Sequence, residues 1–260
     1  MNEKGVIIGC LRYWICIFIS ISILAIHLPA HADSPFYTDD PLFSPGWEIK
    51  GGITGEHNFS GSLLTEVLDW NYAFAIVPYI RLNLTTFTKH IWTKDGQNAF
   101  GYGETEFKVK WRFLEENMTG FRPALGIAPK VFFPTSDEDR GLGDGIWRFQ
   151  LPLQLGKTLN RCYLFTEAGY QWAFDKSVSN VLYAGCGTLY AFTDHFSLGI
   201  ELFGTAPITG LSSSQVLSTV GMVYTFNKYW SIKGSLSHTL RETTLGGPNP
   251  SGVFYIVWNY

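Results

Sequence analysis

From Gly46 to its last residue the chain alternates, with apolar residues at every second position and polar ones between them. In residues 104–114, Phe107, Val109, Trp111 and Phe113 share one parity with Thr105, while Glu104, Glu106, Lys108, Lys110 and Arg112 hold the other. In 78–90, Ile80, Leu82 and Leu84 oppose Arg81, Asn83 and Thr85. In 145–157, Trp147, Phe149, Leu151, Leu153 and Leu155 oppose Arg148, Gln150 and Gln154, and in 230–241, Trp230, Ile232 and Leu236 oppose Lys233, Ser235 and Ser237. The closing stretch sets Phe254, Ile256, Trp258 and Tyr260 on one side. A period of two is the signature of a strand with one apolar and one polar face.

Twelve such segments are predicted: 46–57, 62–74, 78–90, 104–114, 121–133, 145–157, 162–174, 181–193, 196–206, 215–226, 230–241 and 251–260. Soluble strands run ~5–6 residues, whereas a tilted strand crossing a bilayer needs ~9–11. The connections alternate as well. "TLNR", "DH" and "NKY" are tight, while "IWTKDGQNAFGYG", "PTSDEDRGLGD", "APITGLSSS" and "ETTLGGPNP" are long. Short turns on one side and long loops on the other are the habit of outer-membrane barrels. The expected fold is all-β, a transmembrane antiparallel β-barrel of 12 strands. The even count puts both termini in the periplasm, and residues 46–260 form the barrel. Segment 62–74 breaks the pattern, because Glu66 shares parity with Leu64, Leu68 and Trp70, so a bulge or an inward aromatic face is required there. A soluble β-sandwich also alternates, with its charged face outward. The strand lengths and loop asymmetry oppose it.

Composition sharpens this picture. Charged residues are 16% of the chain and aromatic residues also 16%, and the first figure is well below the ~25% of soluble proteins. Lys4 and Arg12, the uncharged run Tyr13–Leu28 and Ala30-His31-Ala32 read as a secretory signal peptide over residues 1–32. That apolar run is shorter than the ~20 residues of a spanning helix. The site also lacks the cysteine of a lipoprotein. Without these residues, 17 basic and 21 acidic side chains remain, too mild a balance to suggest nucleic acid. Residues 33–45, "DSPFYTDDPLFSP", hold three prolines and no periodicity, and are expected to be an extended periplasmic lead-in. Cys162 and Cys186 fall in consecutive strands, several residues out of register, too far for a disulfide.

"YTDDP" early in the mature chain, "GWE" at 46–48, "GYGETEFKVKWRF" at 101–113, "PT" at 134–135 and "GLG" at 141–143 resemble the outer-membrane family named for the meta-pathway of phenol degradation. Its members are commonly described as transporters. Glu104 stands where a Gly-Asp pair is usual, and Ser136 where glycine is usual. The resemblance implies a β-barrel that passes small, aromatic or hydrophobic, compounds.

Five charges in one strand face cannot meet lipid, where Lys or Arg costs ~2–4 kcal/mol at the bilayer midplane. The expected pore-lining set is therefore Arg81, Glu104, Glu106, Lys108, Lys110, Arg112, Lys130, Arg148, Glu167 and Glu201, with Lys89 and Arg122 as further neighbours. Two readings of that set compete: a narrow polar channel for passive uptake of small molecules, and a structural or surface-interaction barrel whose lumen is filled by salt bridges. Eight strands enclose a filled interior and 16–18 an open channel, so twelve lies between. The remaining motifs carry less. His57, His90, His195 and His238 lack metal-ligand spacing. His238 points away from Ser235 and Ser237 in a strand, against an enzyme. The acids of "TSDEDRGLGDG" read as a solvated loop before a calcium site. The expected partners are outer-membrane lipid and lipopolysaccharide, small-molecule solutes, and the assembly machinery through C-terminal Tyr260. No cofactor, metal or nucleic acid is expected.

Overall fold

The computed structural model describes residues 35–58, 63–92, 98–176, 178–208, 214–242 and 248–260. The expected signal peptide lies outside the described residues. The strand segments are β1 (Trp47–Asn58), β2 (Leu63–Val77), β3 (Ile80–Trp92), β4 (Asn98–Tyr102), β5 (Thr105–Leu114), β6 (Ala124–Ile127), β7 (Lys130–Phe133), β8 (Arg148–Leu159), β9 (Cys162–Ala173), β10 (Val181–Ala191), β11 (Phe196–Pro207), β12 (Gln215–Thr225), β13 (Trp230–Glu242) and β14 (Pro248–Asn259). β4 and β5 are two halves of one strand, both paired with β3. β6 and β7 are likewise two halves between β5 and β8. The result is a twelve-stranded antiparallel barrel, closed where β1 pairs with β14.

Each irregularity has a local cause. The strand expected over 121–133 is interrupted at Ala128-Pro129, because proline has no N–H for the ladder. The Pro129 carbonyl still accepts from the Val109 N–H at 3.0 Å. The stretch 98–102, expected within a long loop, extends the β3 ladder from Thr88↔Tyr102 to Trp92↔Asn98. Of the two expectations near Glu66, a bulge or an inward aromatic face, the bulge is present: the register slips between Val67 and Trp70 against β3, and opposite Gly52 and Ile53 against β1. In the tight turn between β8 and β9, Asn160 adopts φ 55°, a left-handed value that asparagine tolerates better than most residues. Cys162 pairs with Tyr190 and Cys186 with Thr166, so the thiols are four positions apart in register and remain free.

Burial is inverted relative to a soluble protein. Outward residues such as Trp111, Ile200, Val220 and Leu236 are exposed, Leu236 by 72%. Inward residues such as Arg81, Asn83, Lys110, Gln154, Glu167, Thr219 and Lys233 are buried. An apolar exterior closed around a polar interior matches a lipid solvent. Aromatic rings gather at both rims. Trp230 and Trp258 lie 6.5 Å apart, and Tyr190 and Phe192 4.9 Å, near the tight turns. Tyr170 and Trp172 are 4.4 Å apart, and Phe133 and Trp147 5.0 Å, at the other end.

Candidate functional site

The interior holds more than the inward side chains of the strands. Residues 35–45, within the stretch expected as an extended periplasmic lead-in, lie against the inward side chains of the barrel wall. Backing up from Gly46, Phe43 lies under the Arg112 guanidinium, 5.2 Å from its ring centroid. Pro41 fills the space beside Gly126, where an added Cβ would come within 3.1 Å of it. Asp39 reaches across to β5, its Oδ1 taking a hydrogen bond from Lys110 Nζ at 2.7 Å and its Oδ2 one from Lys108 Nζ at 3.1 Å. Asp40 is 2% exposed and turns back on its own chain, accepting from the Leu42 N–H at 2.7 Å. The Tyr37 and Thr38 N–H groups both donate to the Glu201 carboxylate. The Tyr37 hydroxyl meets Ser251 Oγ at 3.0 Å, and the Tyr37 ring stacks on Phe203 at 5.6 Å. Phe36 stacks on Phe165 at 5.3 Å.

The wall is shaped to receive this segment. Gly185, Gly199 and Gly221 stand inward on β10, β11 and β12. A Cβ at Gly221 would meet Phe36 at 2.6 Å, one at Gly199 would meet it at 2.8 Å, and one at Gly185 would strike Thr38. Glycine in a strand interior weakens the strand, and here it makes room for a close approach. The prolines and the absence of alternation fit a chain that joins no ladder, whose buried N–H groups find a carboxylate instead.

The other expected lumen residues fall into separate clusters. Arg81 pairs with Glu48 at 2.7 Å near the end that carries Gly46, both almost fully buried. Glu104 sits in the break between β4 and β5 and pairs with Arg148, which also holds Asp144 at 3.2 Å. Glu106 stands opposite Thr85 on one side and Phe132 on the other. Lys130 opposes Lys108 and Gln150. Glu167 accepts from Gln154 Nε2 at 2.7 Å. Arg112 donates to the Pro78 carbonyl at 2.8 Å. Lys89 lies inward beside Phe87. Arg122 is in the exposed turn between β5 and β6 and takes no place in the wall. Thus Lys108, Lys110, Arg112 and Glu201 meet around the inserted segment, while Glu104 pairs with Arg148 and Arg81 with Glu48.

Asp39, Thr38, Tyr37, Phe36, Glu48 and the Asp69–Tyr255 contact (2.8 Å) were missing from the sequence reading. The inward glycines on three consecutive strands were the available signal, since an unfilled lumen gives them no purpose. Two acids of the 134–145 loop are engaged locally: Asp137 accepts from the Arg140 N–H and Asp144 holds Arg148. Leu142 of that loop is buried against Gly101. Ser235 and Ser237 are buried inward and His238 points outward, so they form no catalytic pair.

Among curated proteins, none matches in sequence. Solved structures do match in fold. An outer membrane channel from Pseudomonas putida F1 aligns with a TM-score of 0.65 at 16% identity, covering 88% of this chain and 100% of that one. The NanC porin aligns at 0.58 with 8% identity over 83% of this chain and 100% of its own. The translocator domain of the autotransporter NalP from Neisseria meningitidis aligns at 0.54 with 12% identity over 84% and 89%. These structures share the fold, the closed barrel with its apolar exterior and polar interior suits an outer membrane, and residues 40–255 match the family described as "Putative MetA-pathway of phenol degradation", to which this chain belongs.

Proposed function

We propose that the barrel is a narrow channel for passive uptake of small molecules and that residues 35–43 set its bore. The observation that carries this reading is the segment itself. It lies inside a polar, charge-bearing lumen, joins no strand ladder and is held largely by side chains of the wall. A constriction of this kind selects solutes by size and by the charge of its lining. The pore-lining residues are then Lys108, Lys110, Lys130, Glu167 and Glu201 along the bore, with Arg81, opposite Lys110, and Arg112 toward the mouth that carries Gly46, and Glu104, Glu106 and Arg148 toward the other. The family description favours small aromatic compounds as solutes. The tight turns at 78–79, 160–161, 192–195 and 226–229 share an end with Gly46 and Tyr260, which favours a periplasmic position for both termini. Tyr260, whose backbone pairs with Trp47, then presents the closing aromatic side chain to the assembly machinery. The barrel is not an enzyme on this reading.

A second reading, a closed structural barrel, is favoured by the burial of Lys110, Gln154 and Thr219, each 0% exposed. Single-channel recording of refolded protein separates the two. Discrete conductance steps in the full chain support the channel, whereas steps that appear only after removal of residues 33–43 support a lumen closed by the segment. A heat-modifiable, correctly folded barrel that stays silent in both forms refutes the channel.

A further inference from the structure

We propose that Lys108 and Lys110 form a binding site for a small carboxylate, which Asp39 occupies as an internal ligand and from which a solute carboxylate displaces it. The inference rests on the inserted segment being the bore-setting element, and its test does not depend on conduction. Asp39 contributes one carboxylate oxygen to each lysine, at 2.7 and 3.1 Å, and its Oδ1 also accepts from the Asp40 N–H at 2.9 Å. Both lysines are buried, Lys110 completely. Two ammonium groups that share one carboxylate match any carboxylate of the same spacing, because charge-assisted hydrogen bonds are set by the ions and not by the backbone that bears them.

The surroundings favour an exchange. Lys130 opposes Lys108 across the β5–β7 pair, and Glu167 lies near enough to interact with Asp39, Lys108 and Lys130. Glu167 therefore repels Asp39, while Lys130 adds a third cation for an incoming anion. Arg81, opposite Lys110, pairs with Glu48, and Glu106 lies opposite Thr85, two residue pairs beyond Lys108. Other holds on the segment include the Glu201 bonds, the Tyr37–Ser251 contact, the ring stacks of Phe36 and Tyr37, and Arg112 over Phe43. Freeing Asp39 removes the ion pairs that anchor its middle. The solute that needs the lumen thereby loosens the segment that narrows it.

The test uses the full chain with Cys162→Ser and Cys186→Ser, and a reporter cysteine from Phe36→Cys. A parallel chain carries Leu42→Cys in case the first reporter loosens the segment. Labelling by a membrane-impermeant maleimide is followed at constant ionic strength while chloride is replaced by acetate or by phosphate. Constant ionic strength removes general screening as a cause. Acetate should accelerate labelling saturably, by roughly tenfold, the scale of one charged hydrogen bond. Asp39→Asn should label fast in every salt, and Lys108→Gln should blunt the acetate response. Equal rates in chloride and acetate would overturn the proposal, as would Asp39→Asn labelling as slowly as its parent. Acceleration by phosphate alone would overturn the carboxylate assignment. Each variant is accepted only with the heat-modifiable gel shift of the folded barrel. A protein that responds to acetate yet never conducts would refute the channel and leave this site standing.

Discussion

Strand β5 and the segment 35–45 bring their charges to the same interior by opposite means. In β5, Lys108 and Lys110 point inward because Phe107, Val109 and Trp111 point outward, and the ladder with β3, β6 and β7 fixes that alternation. In the segment no ladder fixes anything. Asp39 points at the lysines because the lysines are there, and Thr38 lies flat on Gly185 because no side chain stands in its way. The wall has geometry of its own, whereas the insert borrows its geometry from the wall. The insert should therefore be removable without loss of the barrel, while the converse should fail.

The largest effect should follow from cutting the two apart. A chain lacking residues 33–43 should fold with the same gel shift and strand circular dichroism, yet conduct several-fold more than the full chain in planar bilayers. An unfolded product would mean that the insert is part of the core and that the contrast is false.

A charge on the lipid side of β5 tests the wall. Val109→Arg should destabilise the barrel by about 2–4 kcal/mol if this level lies near the bilayer midplane, read from denaturant unfolding in lipid vesicles. Thr105→Arg, nearer the rim on the same face, should cost only about 0–1 kcal/mol. Equal costs would mean that the outward face does not meet lipid.

A milder change sharpens the contrast from the cradle. Gly221→Val places methyl groups where Phe36 sits. The barrel should keep its stability to within about 1 kcal/mol, since valine suits a strand, while a cysteine at position 42, with Phe36 kept, becomes quick to label. Slow labelling would show that the segment repacks around the new side chain.

The smallest effect concerns selectivity. In the chain without residues 33–43, Lys108→Glu with Lys110→Glu should shift reversal potentials toward cations, because charge at a constriction sets the preference. No shift in a conducting double variant would move the constriction to the 134–145 loop, where Leu142 packs on Gly101.

The wall could be read from the chain because strand physics is local. Alternation of Trp147 to Leu155 with Arg148 to Gln154, or of Ile232 and Leu236 with Lys233 and Ser235, states which side meets lipid without knowledge of any neighbour. Even the conflict at Glu66 called for a bulge or an inward aromatic face, and a register slip is found between Val67 and Trp70. Inward placement of Lys108 followed from the same rule.

The chain's own periodicity thus determined a twelve-stranded barrel, its outward face and the polarity of its interior. It left open the partner of each inward charge, since partners such as Asp39 with Lys110, or Glu201 with the Thr38 N–H, lie 71 and 163 residues apart. Only the closed ring brings β5, β6 and β9–β12 round a common space, and only that space gives residues 35–45 a conformation. A segment without a period has its structure written in the surfaces it touches, and those surfaces exist only once the barrel has closed.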